Sequence, residues 1–179
     1  EFRLNDTYFP TINEKEPYVL TPQEEKVLED LRVAFRNSHV LQKHTKFLYE
    51  KGSIYRCYNG NLLFHGCIPM TEYGTFAECT VNGVTKKGKD YMDYLDDQVR
   101  KAYYSPDESE ETGNSGDIMW YLWLSGNSPL FGKDQMTTFE RCFIADKKTH
   151  KEHTMPYYKL IDDKAMCEKV LKEFGLDPK

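Results

Sequence analysis

A short apolar segment from Asn61 to Phe64 is followed directly by His65 and Gly66. Before it, residues 54–58 alternate as a strand does, and Asn59-Gly60 is a strong signal for a two-residue hairpin turn. The pattern therefore predicts a β-hairpin that carries His65 at the end of its second strand. In open α/β sheets, ligands bind beyond the carboxyl ends of the strands. His65 is accordingly either a functional ligand or a residue held by structural hydrogen bonds.

Two amphipathic helices are predicted before this hairpin. Thr21-Pro22-Gln23-Glu24 combines an N-cap hydroxyl, a proline in the first turn and a glutamate that can bond back to the cap. Asn37-Ser38 interrupts the apolar repeat and can cap a second helix, which Gly52 ends. Residues 21–52 are therefore predicted to form a helical hairpin, and residues 1–20 an extended linker. The stripe positions are Val27, Leu28, Leu31, Ala34 and Phe35 in the first helix and Leu41, His44, Phe47 and Leu48 in the second.

Residues 53–179 are predicted to form a mixed α/β portion. We expect a second hairpin around Asn82-Gly83, a long helix from Gly88 to Tyr104, another β element from Met136 to Ile144, and a last helix from about Asp162 to Gly175. Residues 105–116 are rich in Asp, Glu, Ser and Gly, and we expect them to form a mobile loop. The predicted fold class is α+β, or α/β.

Composition restricts the classes of partner. The net charge of -5 argues against a nucleic-acid-binding protein whose affinity depends on neutralising phosphates. No apolar run approaches the roughly 20 residues that span a bilayer, so we expect no membrane partner. Five widely spaced cysteines fit reduced core thiols better than disulfides, which predicts a cytoplasmic location. Thirteen tyrosines and ten phenylalanines indicate aromatic surfaces that pack against something outside these residues.

The segment from Gly126 to Asp134 resembles a phosphate-binding loop in outline only. Five residues separate Gly126 from Gly132 where that motif has four, and Asp134 stands where a Ser or Thr would hold magnesium. A P-loop NTPase is therefore not expected. Two interpretations of Lys133 remain open: a point charge directed at a phosphate, or an exposed lysine on an ordinary turn.

Two further stretches carry charges suited to anions. If Met136 to Ile144 is a strand, Arg141 lies on the same face as Phe139 and Phe143, where it would pair with a structural carboxylate or bind a ligand phosphate. Residues 147–153 contain several lysines together with two histidines. Their His-x-x-His spacing is weak support for a metal, and the segment is either a solvated basic turn or a phosphate-facing cluster.

Several long motifs together resemble the class III fructose-1,6-bisphosphatases of Gram-positive and related anaerobic bacteria. That family is similar to the calcineurin-like metallophosphoesterases. The resemblance implies two β-sheets packed between helical layers around a two-metal centre, usually with Mn²⁺. The matching stretches are Leu48–Ser53, Asn61–Met70, Met119–Lys133, Met136–Arg141, Thr149–Glu152 and Pro156–Tyr158.

The resemblance assigns His65 as a metal ligand and Gly66 as a position where the backbone passes close to the site. The family's Asp-x-His, Gly-Asp and Asn-His motifs would precede Glu1, and its late Gly-His motif would follow Lys179. Residues 1–179 therefore resemble an internal segment, a partial domain that is expected to be inactive alone because one imidazole cannot hold two metal ions. Its partners would be the N- and C-terminal parts of the same enzyme.

In the full-length enzyme, the resemblance implies hydrolysis of fructose 1,6-bisphosphate to fructose 6-phosphate and phosphate in gluconeogenesis. The residues expected to bind substrate phosphates are Lys133, Arg141, His150 and Lys151. Two alternatives stay open: a helical cap or regulatory module of a metallophosphatase, and a metallophosphatase acting on another phosphomonoester. Assembly into a homo-oligomer is also open.

Overall fold

The computed structural model describes residues 2–104 and 117–178, so the loop predicted over 105–116 lies outside the described residues. The described elements are helices and two separate, two-stranded antiparallel sheets, which confirms the α+β class. In chain order they are α1 (Pro22–Asn37), α2 (His39–Lys51), β1 (Tyr55–Tyr58), β2 (Asn61–Phe64), β3 (Cys79–Val81), β4 (Val84–Lys86), α3 (Gly88–Tyr104), α4 (Asp117–Leu124), α5 (Thr138–Phe143), a 3-10 helix (Lys147–His150), α6 (Tyr157–Leu160) and α7 (Lys164–Glu173).

The chain divides into two compact units. Unit 1 comprises Glu1–Gly52 and Thr138–His150, and unit 2 comprises Ser53–Thr137 and Lys151–Lys179. Among the described residues, every buried hydrophobic side chain belongs to unit 2. No helix in the described part of the chain combines the length and the apolar character needed to cross a bilayer.

The two predicted helices of unit 1 are both present. The Thr21 hydroxyl accepts a hydrogen bond from the Glu24 N–H, and the Glu24 carboxylate accepts one from the Thr21 N–H at 2.8 Å, which completes the predicted capping box. Ser38 is the only residue between the two helices. It is the C-cap of α1, and as the N-cap of α2 its hydroxyl accepts a hydrogen bond from the Leu41 N–H. Local capping therefore defines both helices.

The predicted β element at Met136 to Ile144 is wrong. Residues 138–143 form helix α5, and its pattern continues with a bond from the Ile144 N–H to the Glu140 carbonyl at 2.9 Å. Leu4 forms an isolated antiparallel bridge with Ile144, and the Asn5 N–H donates to the Phe143 carbonyl. Strand propensity depends strongly on context, so the threonine and the phenylalanines of this segment do not by themselves make it a strand.

Unit 2 contains the two predicted hairpins. Asn59 and Gly60 both have positive φ, as do Asn82 and Gly83, so each Asn-Gly pair forms the two-residue turn that matches strand twist. In the second hairpin we expected the first strand to span Thr75 to Val81, but strand β3 begins only at Cys79.

Helix α3 supplies much of the core of unit 2. Of the five residues predicted to face inward from their spacing, Tyr91, Met92 and Leu95 are buried, whereas Val99 and Ala102 are half-buried against the core. Side chains of α3 also anchor the first hairpin. The Tyr55 hydroxyl donates to Asp93 at 2.6 Å, and the Ile54 N–H donates to Asp96 at 3.0 Å. The other buried apolar residues include Cys67, Ile68, Met70, Ile118, Leu122, Met155, Tyr157, Val170 and Phe174.

All five cysteines are free thiols, as predicted. Their expected core position holds for Cys67 and Cys79, which are buried, but not for Cys57 and Cys142, which are exposed.

Candidate functional site

His65 is the first residue after strand β2, as predicted, and its side chain is exposed. The residue before it, Phe64, pairs with Tyr55 across the hairpin and packs edge-on against Tyr157, with ring centroids 6.0 Å apart. Tyr55 in turn packs edge-on against Phe174 at 4.8 Å. The strand that presents His65 is therefore fixed by aromatic contacts with the C-terminal part of unit 2.

Gly66 lies against the turn that begins at Ser128. A Cβ atom on Gly66 would lie 2.6 Å from the Pro129 carbonyl oxygen, and the next residue, Cys67, donates its N–H to that same oxygen at 3.0 Å. Gly66 thus lies in close contact with the backbone of Pro129, and its expected closeness to a metal site stays a prediction. Cys67 is fully buried, and burial raises the pKa of its thiol to about 11, which disfavours the reactive thiolate.

Ser128 organises this turn from a fully buried position. Its hydroxyl donates to the Leu122 carbonyl at 2.6 Å and accepts from the Leu130 N–H at 3.1 Å. Its carbonyl accepts from the N–H groups of Phe131 and Gly132. Because these N–H groups are used within the turn, the segment does not form the open cradle of N–H groups that binds phosphate in a P-loop.

Lys133 directly follows this turn, and its side chain forms an ion pair with Glu152. The distance from Lys133 Nζ to Glu152 Oε2 is 2.8 Å, and Glu152 Oε1 accepts from both the N–H and the hydroxyl of Thr137, at 3.0 and 2.9 Å. The lysine, followed by the two Thr137 donors, lowers the pKa of Glu152 to about 2. Lys133 is therefore held by an ion pair in the structure, and its role toward a phosphate stays a prediction.

A second pair lies beside the first. His153 Nδ1 lies 2.6 Å from Asp134 Oδ2, and the His153 N–H donates to Asp134 Oδ1 at 2.8 Å. Lys151 has an exposed side chain, and its carbonyl accepts from Gln135 Nε2 at 2.7 Å. Residues 133–135 and 151–154 thus form one hydrogen-bonded edge of unit 2, with a bridge between Lys133 and Thr154.

Arg141 and His150 lie together in unit 1. Arg141 Nη2 donates to the His150 carbonyl at 2.9 Å, and His150 Nε2 lies 3.0 Å from the Ile144 carbonyl and therefore donates to it. The strand placement of Arg141 is wrong, because Arg141 belongs to helix α5. Phe139 and Phe143 nevertheless share a face, since they are four residues apart on that helix and stack with centroids 6.4 Å apart.

The four expected substrate residues are thus placed as two pairs. Arg141 and His150 belong to unit 1, and Lys133 and Lys151 belong to unit 2. In the described ranges 2–104 and 117–178, no group of three or more His, Cys, Asp or Glu side chains is arranged to hold a metal ion. His65 therefore does not complete a two-metal centre with the described residues alone.

Several residues at these sites escaped sequence reasoning. Glu152 ends a matched motif, but its pairing with Lys133, nineteen positions away, follows no helical or strand period. Thr137 and the Asp134–His153 pair were missed for the same reason. The signal that could have indicated the Lys133–Glu152 pair is that a basic residue ends the stretch Met119–Lys133 and an acidic residue ends the stretch Thr149–Glu152, both of which resemble the family.

Comparison with known proteins defines the class of protein. A model of the Firmicute fructose-1,6-bisphosphatase family matches residues 1–179. The chain belongs to this family. No solved structure matches it.

Three curated relatives are named fructose-1,6-bisphosphatase class 3. The chain is 48% identical to the protein of Listeria innocua and 49% identical to that of Clostridium novyi, over 99% of this chain and 27% of each relative. It is 50% identical to the protein of Fusobacterium nucleatum, over 100% of this chain and 28% of the relative. The chain therefore spans about a quarter of the length of these relatives.

Proposed function

We propose that the full-length protein is a divalent-metal-dependent fructose-1,6-bisphosphatase that hydrolyses fructose 1,6-bisphosphate to fructose 6-phosphate and phosphate. The family match over residues 1–179 supports the class of enzyme. The observation that carries the site is the exposed position of His65 at the end of strand β2, directly before the packed contact of Gly66 with Pro129. An imidazole in such a position is a common ligand of divalent metals.

In this proposal, His65 supplies one ligand to a two-metal centre, with Mn²⁺ as the expected ion. The other ligands and the remaining strands of a calcineurin-like sandwich would come from sequence outside residues 1–179. When bound, such a centre would activate water and stabilise charge on the transferring phosphoryl group. The 179-residue chain alone would then be inactive. We also propose a cytoplasmic location and a role in gluconeogenesis.

The proposed task of Lys133, Arg141, His150 and Lys151 is to bind the substrate phosphates. Lys133 already pairs with Glu152, so a phosphate would have to share the lysine's donors with that carboxylate. Arg141 already donates to the His150 carbonyl, which orients its guanidinium. The planar donors of arginine suit phosphate oxygens, whereas lysine acts as a compact charge.

The test is phosphate release from fructose 1,6-bisphosphate by the full-length enzyme with Mn²⁺. We expect His65→Asn to lower kcat by at least about 100-fold, because a lost metal ligand removes the activated water. We expect Arg141→Ala chiefly to raise KM. Full activity of His65→Asn would contradict the metal assignment, and unchanged kinetics of Arg141→Ala would remove Arg141 from the substrate site. Turnover by the pure 179-residue chain would contradict its expected inactivity.

A second candidate function is a helical cap or interaction module within a metallophosphatase. Helices α1 and α2 favour it, because neither contains a buried residue. A metallophosphatase with another phosphomonoester substrate is the remaining alternative. Comparing release of phosphate from fructose 1,6-bisphosphate with release from phosphopeptides separates this alternative from the main proposal.

A further inference from the structure

Helices α1 and α2 carry matching apolar stripes. In α1 the stripe comprises Val27, Leu28, Leu31, Ala34 and Phe35, and in α2 it comprises Val40, Leu41, His44, Phe47 and Leu48. Both sets have the spacing i, i+1, i+4, i+7 and i+8, which places each on one face of its helix. The two stripes therefore repeat one pattern, with His44 at the position that Leu31 holds in α1.

Neither stripe is covered by the other residues of unit 1. Leu31 is 49% exposed and Phe47 is 61% exposed, and no residue of either helix is buried. Helices of 13 to 16 residues are marginal in water without tertiary packing, and most helical stability in proteins comes from burying an amphipathic face. Both helices thus carry the apolar stripe that is typical of helices packed against a core, but neither stripe is buried.

Charged side chains on the polar faces of α1 and α2 form ion pairs within each helix. Lys26 pairs with Asp30 at 2.5 Å in α1, Glu29 pairs with Arg32, and Lys46 pairs with Glu50 at 3.6 Å in α2. Helix α1 has three basic and four acidic residues, and α2 has three basic and one acidic. No strong single-sign field is present to steer a charged partner, so the stripes fit a permanent apolar contact better than a transient encounter.

The length of the relatives indicates what makes this contact. The chain aligns along nearly its whole length with proteins of which it covers only 27 to 28%. Most of each relative therefore lies outside the aligned region and is covalently tethered to it. A tethered partner has a high effective concentration, which favours an intramolecular contact over one with a second copy.

We propose that the apolar stripes of α1 and α2 are the docking surface for a part of the same polypeptide outside residues 1–179. The proposal rests on the family membership that also supports the proposed function, but it does not depend on the reaction or on its metal. In the full-length protein, these stripes are buried against that segment within one subunit.

Photo-crosslinking in the full-length protein tests the occupant directly. A benzophenone amino acid is placed at position 31 or 47 in the stripes, with matched controls at positions 26 and 46 on the polar faces. We expect the stripe positions to give at least about tenfold more crosslinks than the controls, joined within one chain to peptides outside residues 1–179. Crosslinks between subunits, crosslinks confined to residues 1–179, or yields equal to the controls would each overturn the proposal.

Hydrogen exchange on the unmodified full-length protein keeps the test valid if a labelled variant fails to fold. We expect the amides of α1 and α2 to exchange at least about 100-fold more slowly than in unstructured peptides, with the same protection after tenfold dilution. Loss of protection on dilution would identify a second copy as the occupant, and absence of protection would show an uncovered face. Neither result requires phosphatase activity, so failure here is distinct from failure of the proposed function.

Discussion

Helices α1 and α3 are nearly equal in length, at 16 and 17 residues, but they differ in burial. Helix α3 in unit 2 buries Tyr91, Met92 and Leu95 along its inward face, whereas α1 in unit 1 buries no residue. Both have an apolar stripe at helical spacing. The comparison shows that an apolar stripe at helical spacing predicts the helix, whereas burial of that stripe depends on which elements lie nearby.

The two helices also begin differently. Helix α1 begins with the local capping box of Thr21 and Glu24. At the start of α3, the Lys89 N–H donates at 3.0 Å to Glu173, a residue eighty-four positions away. Helix α1 thus begins with a contact to a neighbour in sequence, whereas α3 begins with a contact to a neighbour in space, and mutations in the two helices should differ accordingly.

The largest effect is expected in the core of unit 2. Leu95→Ala should lower the free energy of unfolding of the 179-residue chain by about 3 kcal/mol, because Leu95 is fully buried and its removal leaves a cavity. Leu31→Ala, the matched change in α1, should cost less than about 0.5 kcal/mol in the same chain. Urea unfolding measures both values. Equal losses would contradict the difference in burial between the units.

The next effect concerns the backbone beside His65. Gly66→Ala should cost about 2 kcal/mol, because its Cβ would lie 2.6 Å from the Pro129 carbonyl and one of the two segments must move. Gly60→Asn serves as the control, since Gly60 has open space around it and Asn tolerates its positive φ. Urea unfolding of both variants provides the comparison. A Gly66→Ala protein as stable as wild type would show that this contact is loose.

A smaller effect is expected at the local cap of α1. Thr21→Ala should lower helix stability by about 1 kcal/mol, because it removes the acceptor for the Glu24 N–H. Thr21→Ser keeps that acceptor and should restore most of the loss. Far-UV circular dichroism reports the helix, and the near-UV signal of the unit 2 core should remain unchanged. A change in the near-UV signal would contradict the expectation that the effect of Thr21→Ala stays local to α1.

The features that were predictable from the sequence are those decided within a few residues. The capping box, the shared cap at Ser38, the Asn-Gly turns and the inward face of α3 all follow from local spacing and local backbone geometry. The position of His65 at the strand end follows from the first of those turns. The caps and the turns form through contacts between residues close in sequence, and the inward face of α3 follows from its helical period even though distant residues cover it.

The features that were missed depend on residues far apart in sequence. Helix α5 was predicted as a strand, and the contacts of Leu4 and Asn5 with its C-terminal end could not be inferred from residues 136–144. The Glu152 ion pair and the Asp134–His153 pair each join positions nineteen apart. Pairings of this kind have no period, so local patterns cannot predict them.

The smallest effect is expected at the Lys133–Glu152 pair and should appear as pH dependence. Lys133 and Thr137 lower the pKa of Glu152 from 4.5 to about 2 in the folded chain. The pair therefore stabilises the fold above pH 4.5, and this contribution is lost as the pH falls towards 2. Wild type should lose more stability between pH 5 and pH 3 than Glu152→Gln, which cannot ionise.

Lys133→Met provides the matched control, because it removes the largest cause of the lowered pKa and leaves the Glu152 carboxyl in place. Its loss of stability between pH 5 and pH 3 should be intermediate between wild type and Glu152→Gln, since the two Thr137 donors still favour the carboxylate. Urea unfolding at the two pH values gives all three slopes. Identical slopes would mean that Glu152 titrates alike in the folded and unfolded chains, so the edge formed by residues 133–135 and 151–154 would owe its stability to the backbone bonds instead.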